Sequence, residues 1–329
     1  MRRYIYYLIA LSLLFIAAFF FFFNDSSGNL NLRSTHFSVD NTDRISEIKI
    51  ADNTKPLLLS KENNQWKVNK KFWVKEQSLG MFLHALNRIE IHYPVSKLEK
   101  SQVSSLLKKD GILVEIKKSR INTIRFYVSK PSMSQDKTFM MMANSSEPYV
   151  VKIPGFKGQI SQLFISDENF WRDKIVFDYL PQNISTITVE YPKSQDKSFR
   201  IKNFNDGSFA LINGNNVPET DFNVEKVARY FTYFQKIQFE DVISDWPTEK
   251  VNSVLDNSPS VQITVENIQG VKTEIKIYPK TLEAGVDEFG DKTEFDLNRA
   301  YAMLNNNKEL LLIQFYTFDP LLKEIDYFR

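Results

Sequence analysis

The chain of 329 residues contains no cysteine, and its 42 basic and 40 acidic residues leave a formal net charge of +2. Without cysteine, the chain forms no disulfides, thiolate nucleophiles or cysteine-ligated metal sites, and the balanced charge, with no basic stripe, argues against a nucleic acid partner. Hydrophobic residues at 43% and charged residues at 25% are typical of a packed globular protein rather than of a disordered chain.

The N-terminus carries an uninterrupted apolar and aromatic run from Tyr4 to Phe23. A helix of this length, at about 1.5 Å rise per residue, spans about 30 Å, which is the thickness of the hydrocarbon core of a bilayer. Arg2 and Arg3 precede the run, and residues 24–29 contain no lysine or arginine. The positive-inside rule therefore predicts that residues 1–3 are cytoplasmic, that residues 4–23 span the membrane and that the remainder is translocated.

A cleaved signal peptide is the alternative interpretation of the same run, with Arg2 and Arg3 as its basic region. The run is longer than a usual signal-peptide core, and it ends in five phenylalanines, Phe19 to Phe23, where a signal peptidase requires small residues. We therefore predict an uncleaved anchor. The following residues 24–36 are rich in asparagine and serine and predict a short stalk.

Residues 37–168 predict a first module of strands and helices. Ile45, Ile48 and Ile50 alternate with polar residues as in a half-buried strand. A main amphipathic helix is predicted by the spacing of Leu79, Phe82, Leu83, Leu86 and Ile89. A shorter helix at residues 100–109 is predicted to turn Val103, Leu106 and Leu107 inward.

Residues 169–329 repeat the same order of elements. Ile184, Ile187 and Val189 correspond to the first strand pattern, and a helix with Val224, Val227, Phe231 and Phe234 corresponds to the main helix. The shared order indicates an internal repeat. We therefore predict an α+β fold: an N-terminal transmembrane helix followed by two tandem similar modules, in each of which antiparallel sheets pack against amphipathic helices.

The second module contains an acidic insertion, Leu282 to Asp296. Its carboxylates are those of Glu283, Asp287, Glu288, Asp291, Glu294 and Asp296. Clustered carboxylates suit a hard cation such as Ca²⁺, but the spacing matches no EF-hand loop. A solvated acidic loop is the interpretation that we favour, and the sequence leaves cation binding open.

With both modules laid out, the chain resembles domain-of-unknown-function family 4340. The resemblance rests on Phe37-Ser38-Val39-Asp40, on the strand patterns at Ile45 to Ile50, Leu57 to Leu59 and Trp66 to Val68, and on the junction Phe170-Trp171-Arg172-Asp173-Lys174. It implies a bacterial inner-membrane protein with one N-terminal helix and a periplasmic α+β region. It also implies a partner, because such proteins are often encoded beside ABC transporter components of the gliding-motility type. No catalytic residues follow from it.

Catalytic and metal-binding motifs are not evident in the sequence. His36, His84 and His92 lack metal-ligand spacing, and the chain has no GxSxG, GxGxxG or GxxxxGK[ST] motif. We therefore predict no enzyme activity, no catalytic residue, no metal and no cofactor. Paired carboxylates cannot be identified from sequence, so a cell-envelope hydrolase stays as the least favoured alternative.

Five residues are candidates for contacts between the modules or with a partner. Trp171, Arg172 and Asp173 lie at the predicted junction, where they could form a docking point or a latch, or simply a salt bridge with aromatic packing. Tyr230 and Tyr233 fall off the main apolar face of the second helix and are predicted to face a partner.

The predicted function is a non-enzymatic, membrane-tethered extracytoplasmic scaffold or accessory subunit of an envelope complex. The resemblance suggests an ABC-type transporter as the complex. The alternative is a periplasmic module that binds a peptide, glycan or lipid in a cleft between the two modules.

Overall fold

The computed structural model describes residues 36–52, 56–118, 123–282, 285–286, 290 and 292–329. These residues form two units, the first ending at Asp173 and the second extending from Lys174 to Arg329. Each unit contains one large antiparallel sheet with a few helices, so the described chain is α+β. The predicted anchor at residues 4–23 and nearly all of the predicted stalk lie outside the described residues.

The first sheet has nine antiparallel strands in the order β4-β3-β2-β1-β6-β7-β8-β9-β5. It consists of two meanders, β1 to β4 and β6 to β9, which meet at the central pair β1–β6. The strands are β1 (Glu47–Ala51), β2 (Leu57–Glu62), β3 (Gln65–Val68), β4 (Phe72–Trp73), β5 (Glu90–Pro94), β6 (Ile112–Lys117), β7 (Thr123–Val128), β8 (Thr138–Met142) and β9 (Tyr149–Lys152).

The second sheet repeats this topology in the order β14-β13-β12-β11-β17-β18-β19-β20-β16. A separate two-stranded sheet pairs β10 (Ile175–Phe177) with β15 (Ile237–Gln238). The strands of the large sheet are β11 (Ile184–Glu190), β12 (Phe199–Asn203), β13 (Phe209–Asn213), β14 (Pro218–Glu219), β16 (Asp241–Val242), β17 (Val261–Asn267), β18 (Lys272–Thr281), β19 (Phe295–Leu304) and β20 (Leu311–Gln314).

The helices occupy the same places in both units. One helix follows the first meander and a second precedes the other meander, with short helices near the end of each unit. They are α1 (Glu76–Arg88), α2 (Lys100–Asp110) and α3 (Glu168–Trp171) in the first unit, and α4 (Val224–Phe231), α5 (Thr248–Leu255) and α6 (Phe315–Phe318) in the second.

The alternating apolar residues predicted for the two modules lie in the central strand pair of each sheet. In the first sheet, Ile48 lies opposite Ile116 and Ile50 opposite Val114. All four side chains are buried. The second sheet places Ile187 opposite Val265 and Val189 opposite Ile263, again buried. Apolar residues two apart point to the same face of a strand, so these pairs form the middle of each hydrophobic core.

The main helix of each unit covers one face of its sheet, as the sequence predicts. Leu79, Phe82 and Leu86 of α1 are buried against the first sheet, and the Leu86 carbonyl accepts a hydrogen bond of 3.1 Å from the Val39 N–H. In α4 the buried residues are Val227, Tyr230 and Phe231. Asn223 caps the N-terminus of α4, because its side-chain oxygen accepts a hydrogen bond of 2.9 Å from the Lys226 N–H.

Helices α2 and α5 cover part of the opposite face of their own sheets. Leu107 of α2 is buried, and the Ser104 hydroxyl lies 3.3 Å from the sulfur of Met141, whereas Met140 belongs to the main core. Both faces of β8 are therefore covered inside its own unit. The prediction that Leu106 points inward is wrong, because that side chain is 40% exposed.

The boundary between the units lies after residue 173 rather than after residue 168. The reason is α3, whose Trp171 packs on Phe82 in the core of the first unit. Residues 169–173 therefore belong with the sheet that precedes them.

Within the described ranges, no helix is long and apolar enough to cross a membrane.

Gly80 provides a test of the packing assigned to α1. It lies on the exposed side in the middle of the helix, and a Cβ atom built there meets no atom within 4 Å. We expect Gly80→Ala to raise the free energy of unfolding by about 0.5–1 kcal/mol, because alanine loses less backbone entropy on folding. Chemical denaturation with the wild-type chain as reference measures the change. A destabilised variant would contradict the exposed position of this residue.

Candidate functional site

Trp171 lies in the core of the first unit, not on a surface. Its side chain is fully buried, and the indole N–H donates a hydrogen bond of 2.8 Å to the Ile165 carbonyl. The ring also makes an edge contact with Phe82 at a centroid distance of 5.1 Å. The expectation of a contact with a partner is therefore wrong for Trp171, because no part of its ring is available to one.

Arg172 and Asp173 hold the end of the first unit against the strand β4. The Arg172 guanidinium stacks on the Phe72 ring at 3.6 Å, and its side chain is nearly buried. The Asp173 N–H donates to the Trp73 carbonyl, and the Lys75 N–H donates to the Trp171 carbonyl, both at 2.8 Å. Of the two interpretations, these contacts match aromatic packing and backbone pairing inside one unit.

The position of Tyr230 in α4 contradicts the prediction that its side chain faces a partner. Its side chain is fully buried, and its hydroxyl donates a hydrogen bond of 2.7 Å to the Leu321 carbonyl. Burial raises the pKa of Tyr230 well above its ordinary value. Tyr233 is partly exposed and packs against Tyr230, and a hydrogen bond with Tyr327 raises its pKa. Of these two tyrosines, only Tyr233 therefore has a side chain that is partly exposed to solvent.

A cleft with an apolar floor lies at one end of the sheet of the second unit, and we take it as the candidate functional site. It has a volume of about 340 Å³. Its apolar floor comes from the ends of the strands and from the segment after β20: Val261, Ile277, Pro279, Phe295, Ala300, Phe315 and Leu322. Its polar rim is formed by Tyr191, Lys193, Ser194, Lys197, Ser260, Lys280, Asp296 and Glu324.

Both carboxylates of the rim are engaged by lysines. Lys280 approaches Asp296 to 2.7 Å, and Lys197 approaches Glu324 to 2.7 Å. Burial alone would raise the pKa of Asp296, but the hydrogen bonds from Lys280 and from the N–H groups of Asn298 and Arg299 hold it below its ordinary value. Asp296 is therefore an ionised, fully engaged acceptor.

Tyr191 also has its hydrogen-bonding group occupied. Its hydroxyl donates a hydrogen bond of 3.0 Å to the Lys323 carbonyl. Burial, with a smaller contribution from the Glu324 carboxylate, raises the pKa of Tyr191 above its ordinary value. Tyr191 is thus a neutral wall of the cleft rather than a source of protons.

A second cleft, of about 390 Å³, lies in the first unit beside β5 and β9. Its lining includes the neighbouring rings of His92 and Tyr93, whose centroids are 4.7 Å apart and whose planes are tilted by 52°, and Lys137, which lies 6.0 Å from the centre of the Tyr93 ring. The adjacent edge strand β5 has a bulge between Ile91 and Tyr93 and ends in Pro94. Both features oppose the addition of another strand.

Of the acidic insertion, Glu283, Asp287, Glu288 and Asp291 lie outside the described residues. Asp296 is paired with Lys280, and Glu294 is exposed. Where the chain is described, no three histidine or acidic side chains are grouped as metal ligands.

The cleft of the second unit includes residues that the sequence analysis did not single out. Lys193 and Lys197 follow β11, whereas Lys280 lies near the end of β18, and the fold of the sheet brings the two segments together. A usable signal was the continuous apolar run Ala300-Tyr301-Ala302-Met303, which is buried in β19, a strand that we did not predict from the sequence.

Comparisons with protein-family models, curated proteins and solved structures found no match to the chain.

Proposed function

We propose that the protein is a non-enzymatic, membrane-tethered accessory subunit or scaffold of a cell-envelope complex, with its two sheet units in the periplasm. The observation that carries the proposal is the apolar run from Tyr4 to Phe23 behind Arg2 and Arg3, followed directly by translocatable sequence. A single anchor keeps two folded units at the membrane surface, where an accessory subunit meets its complex.

Two acidic side chains of the second unit, those of Glu240 and Asp296, are held in ion pairs. Hydrogen bonds from the Arg299 guanidinium, at 2.8 and 3.2 Å, lower the pKa of Glu240. The pKa of Asp296 is lowered as well. A general acid at neutral pH needs a pKa shifted upward, so these two carboxylates are suited to structural ion pairs.

The partner that we propose is an ABC-type transporter of the gliding-motility kind. This part of the proposal is supported by the resemblance in residues 37–50, 57–59, 66–68 and 170–174 alone.

We expect the tagged full-length protein, extracted from its native membrane in a mild detergent, to co-purify with a transporter permease and its ATPase. Mass spectrometry identifies the co-purified chains. A chain beginning at His36, which lacks the proposed anchor, serves as the control and is expected to lose the permease. Isolation of the full-length protein without any transporter subunit would remove the support for this partner.

We propose ligand binding in the cleft of the second unit as a second candidate function. It is favoured by one observation: a cleft of about 340 Å³ with an apolar floor and a polar rim. Small-molecule sites have this combination of apolar lining and few polar groups. The alternative predicted from the sequence placed such a site between the modules, whereas this cleft lies inside one unit.

A further inference from the structure

We infer that the cleft of the second unit binds a small organic anion, a compound with an apolar body and a carboxylate or similar acidic group. The inference rests on the second candidate function and specifies its ligand.

The unused hydrogen-bonding groups of the rim can all donate a hydrogen bond. The acceptors Asp296 and Glu324 are each engaged by a lysine at 2.7 Å, and the Tyr191 hydroxyl is engaged by the Lys323 carbonyl. The Lys193 ammonium and the hydroxyls of Ser194 and Ser260 have no partner within the described part of the chain. The amine is purely a donor and each hydroxyl can donate, so the cleft offers donors to a ligand that brings acceptors.

The lining of the cleft carries more positive than negative charge. Three lysines and two carboxylates line the cleft, and two lysines are neutralised by those carboxylates. The charge of Lys193 is left without a paired anion in the lining. Asp196 and Asp326 lie close enough to raise the pKa of Lys197 but do not line the cleft. An anion is therefore favoured over a cation at this rim.

The apolar floor of the cleft still has surface in contact with water. Val261, Ile277 and Ala300 are buried members of the main core and contribute little of that surface. It comes from Phe295, which is 39% exposed, and from Pro279, Phe315 and Leu322. An apolar body in contact with these side chains would remove their exposed surface from water. The ligand thus needs an apolar part as well as an acidic one.

The test compares three probes of the same shape. Saturation-transfer NMR titrations use the full-length chain in lipid nanodiscs, with empty nanodiscs as the blank. The probes are 4-phenylbutyrate, its neutral amide 4-phenylbutanamide and the cation 4-phenylbutylammonium. We expect measurable binding of the carboxylate, weaker binding of the amide and weakest binding of the ammonium ion.

Two variants separate the contributions of the rim and the floor. We expect Lys193→Gln to weaken binding of 4-phenylbutyrate by about fivefold without weakening that of the amide. Phe295→Ser is expected to weaken both by about fivefold. Lys202→Gln, an exposed lysine on the polar face of the same sheet, is the matched control and is expected to change neither.

Each contrary outcome has a distinct meaning. Equal binding of the three probes, or equal effects of Lys193→Gln and Lys202→Gln, would overturn the anionic class while leaving a binding cleft. Failure of all three probes to bind at millimolar concentration would overturn both this inference and the second candidate function. Neither result would affect the transporter partner, which the co-purification tests separately.

Discussion

Trp171→Ala will lower the free energy of unfolding of the first unit by about 3–5 kcal/mol, as expected for removal of a fully buried tryptophan. The side chain contacts Phe82 of α1, and its indole N–H satisfies the Ile165 carbonyl. The substitution therefore leaves both a cavity and an unpaired carbonyl. Because Trp171 joins α3 to α1, the loss also loosens the backbone pairing between β4 and residues 171–173.

The neighbouring Phe170 is the matched control for this substitution. It is an aromatic residue of the same short helix, but 43% of its surface is exposed. We expect Phe170→Ala to cost about 1 kcal/mol or less. Hydrogen exchange measured by mass spectrometry gives the location as well as the size of each effect. Protection should fall in peptides from residues 37–173 and stay unchanged in those from residues 184–329, because the two cores share no residue.

Equal costs for the two substitutions would contradict the assignment of Trp171 to the core. A loss of transporter co-purification in a fully folded Trp171→Ala chain would instead restore the partner contact expected from the sequence.

The sequence predicted the repeated order of elements because strand alternation and helix spacing are local signals. Ile48 and Ile187 take equivalent central places in sheets of the same topology. The turn between β2 and β3 is also encoded locally, because Asn63 and Asn64 adopt positive φ angles that asparagine tolerates. The alternating strands and the amphipathic helices were sufficient to predict the α+β class.

The C-terminal segment was missed because its packing has no regular period. Phe318, Leu321, Ile325 and Phe328 are buried in the core of the second unit, although only short helical turns connect them. The cleft could not be predicted for a related reason. Its lysines and its apolar floor come from segments that are distant in sequence, and the pairing of β11, β17, β18 and β19 brings them together.

The prediction that Tyr230 faces a partner was wrong because a helical projection assumes that the side of α4 away from the sheet is exposed to solvent. The C-terminal segment covers that side: Phe328 contacts the Tyr230 ring at 5.3 Å, and Leu321 accepts the hydrogen bond from its hydroxyl. A tyrosine with an apolar ring and one satisfied hydroxyl is well suited to such an enclosed position.

Tyr230→Ala is therefore expected to lower the free energy of unfolding of the second unit by about 3–5 kcal/mol. The lost ring contacts are those with Phe199 at 5.8 Å, Phe234 at 5.3 Å and Phe328 at 5.3 Å. Tyr230→Phe keeps the ring but leaves the buried Leu321 carbonyl without its donor, so we expect a smaller cost of about 1–3 kcal/mol. The partly exposed Tyr233 is the control, and Tyr233→Phe should cost about 1 kcal/mol or less.

The order of these three costs decides between a core and a surface role for Tyr230. Denaturation gives their size, and hydrogen exchange should place the loss of protection in residues 184–329, with residues 37–173 unchanged. A Tyr230→Ala chain as stable as Tyr233→Phe would show that the ring is not enclosed by the C-terminal segment. Because that segment also supplies Leu322 and Glu324 to the cleft, Tyr230→Ala should weaken 4-phenylbutyrate binding together with stability, whereas Tyr233→Phe should leave binding unchanged and cost about 1 kcal/mol of stability or less.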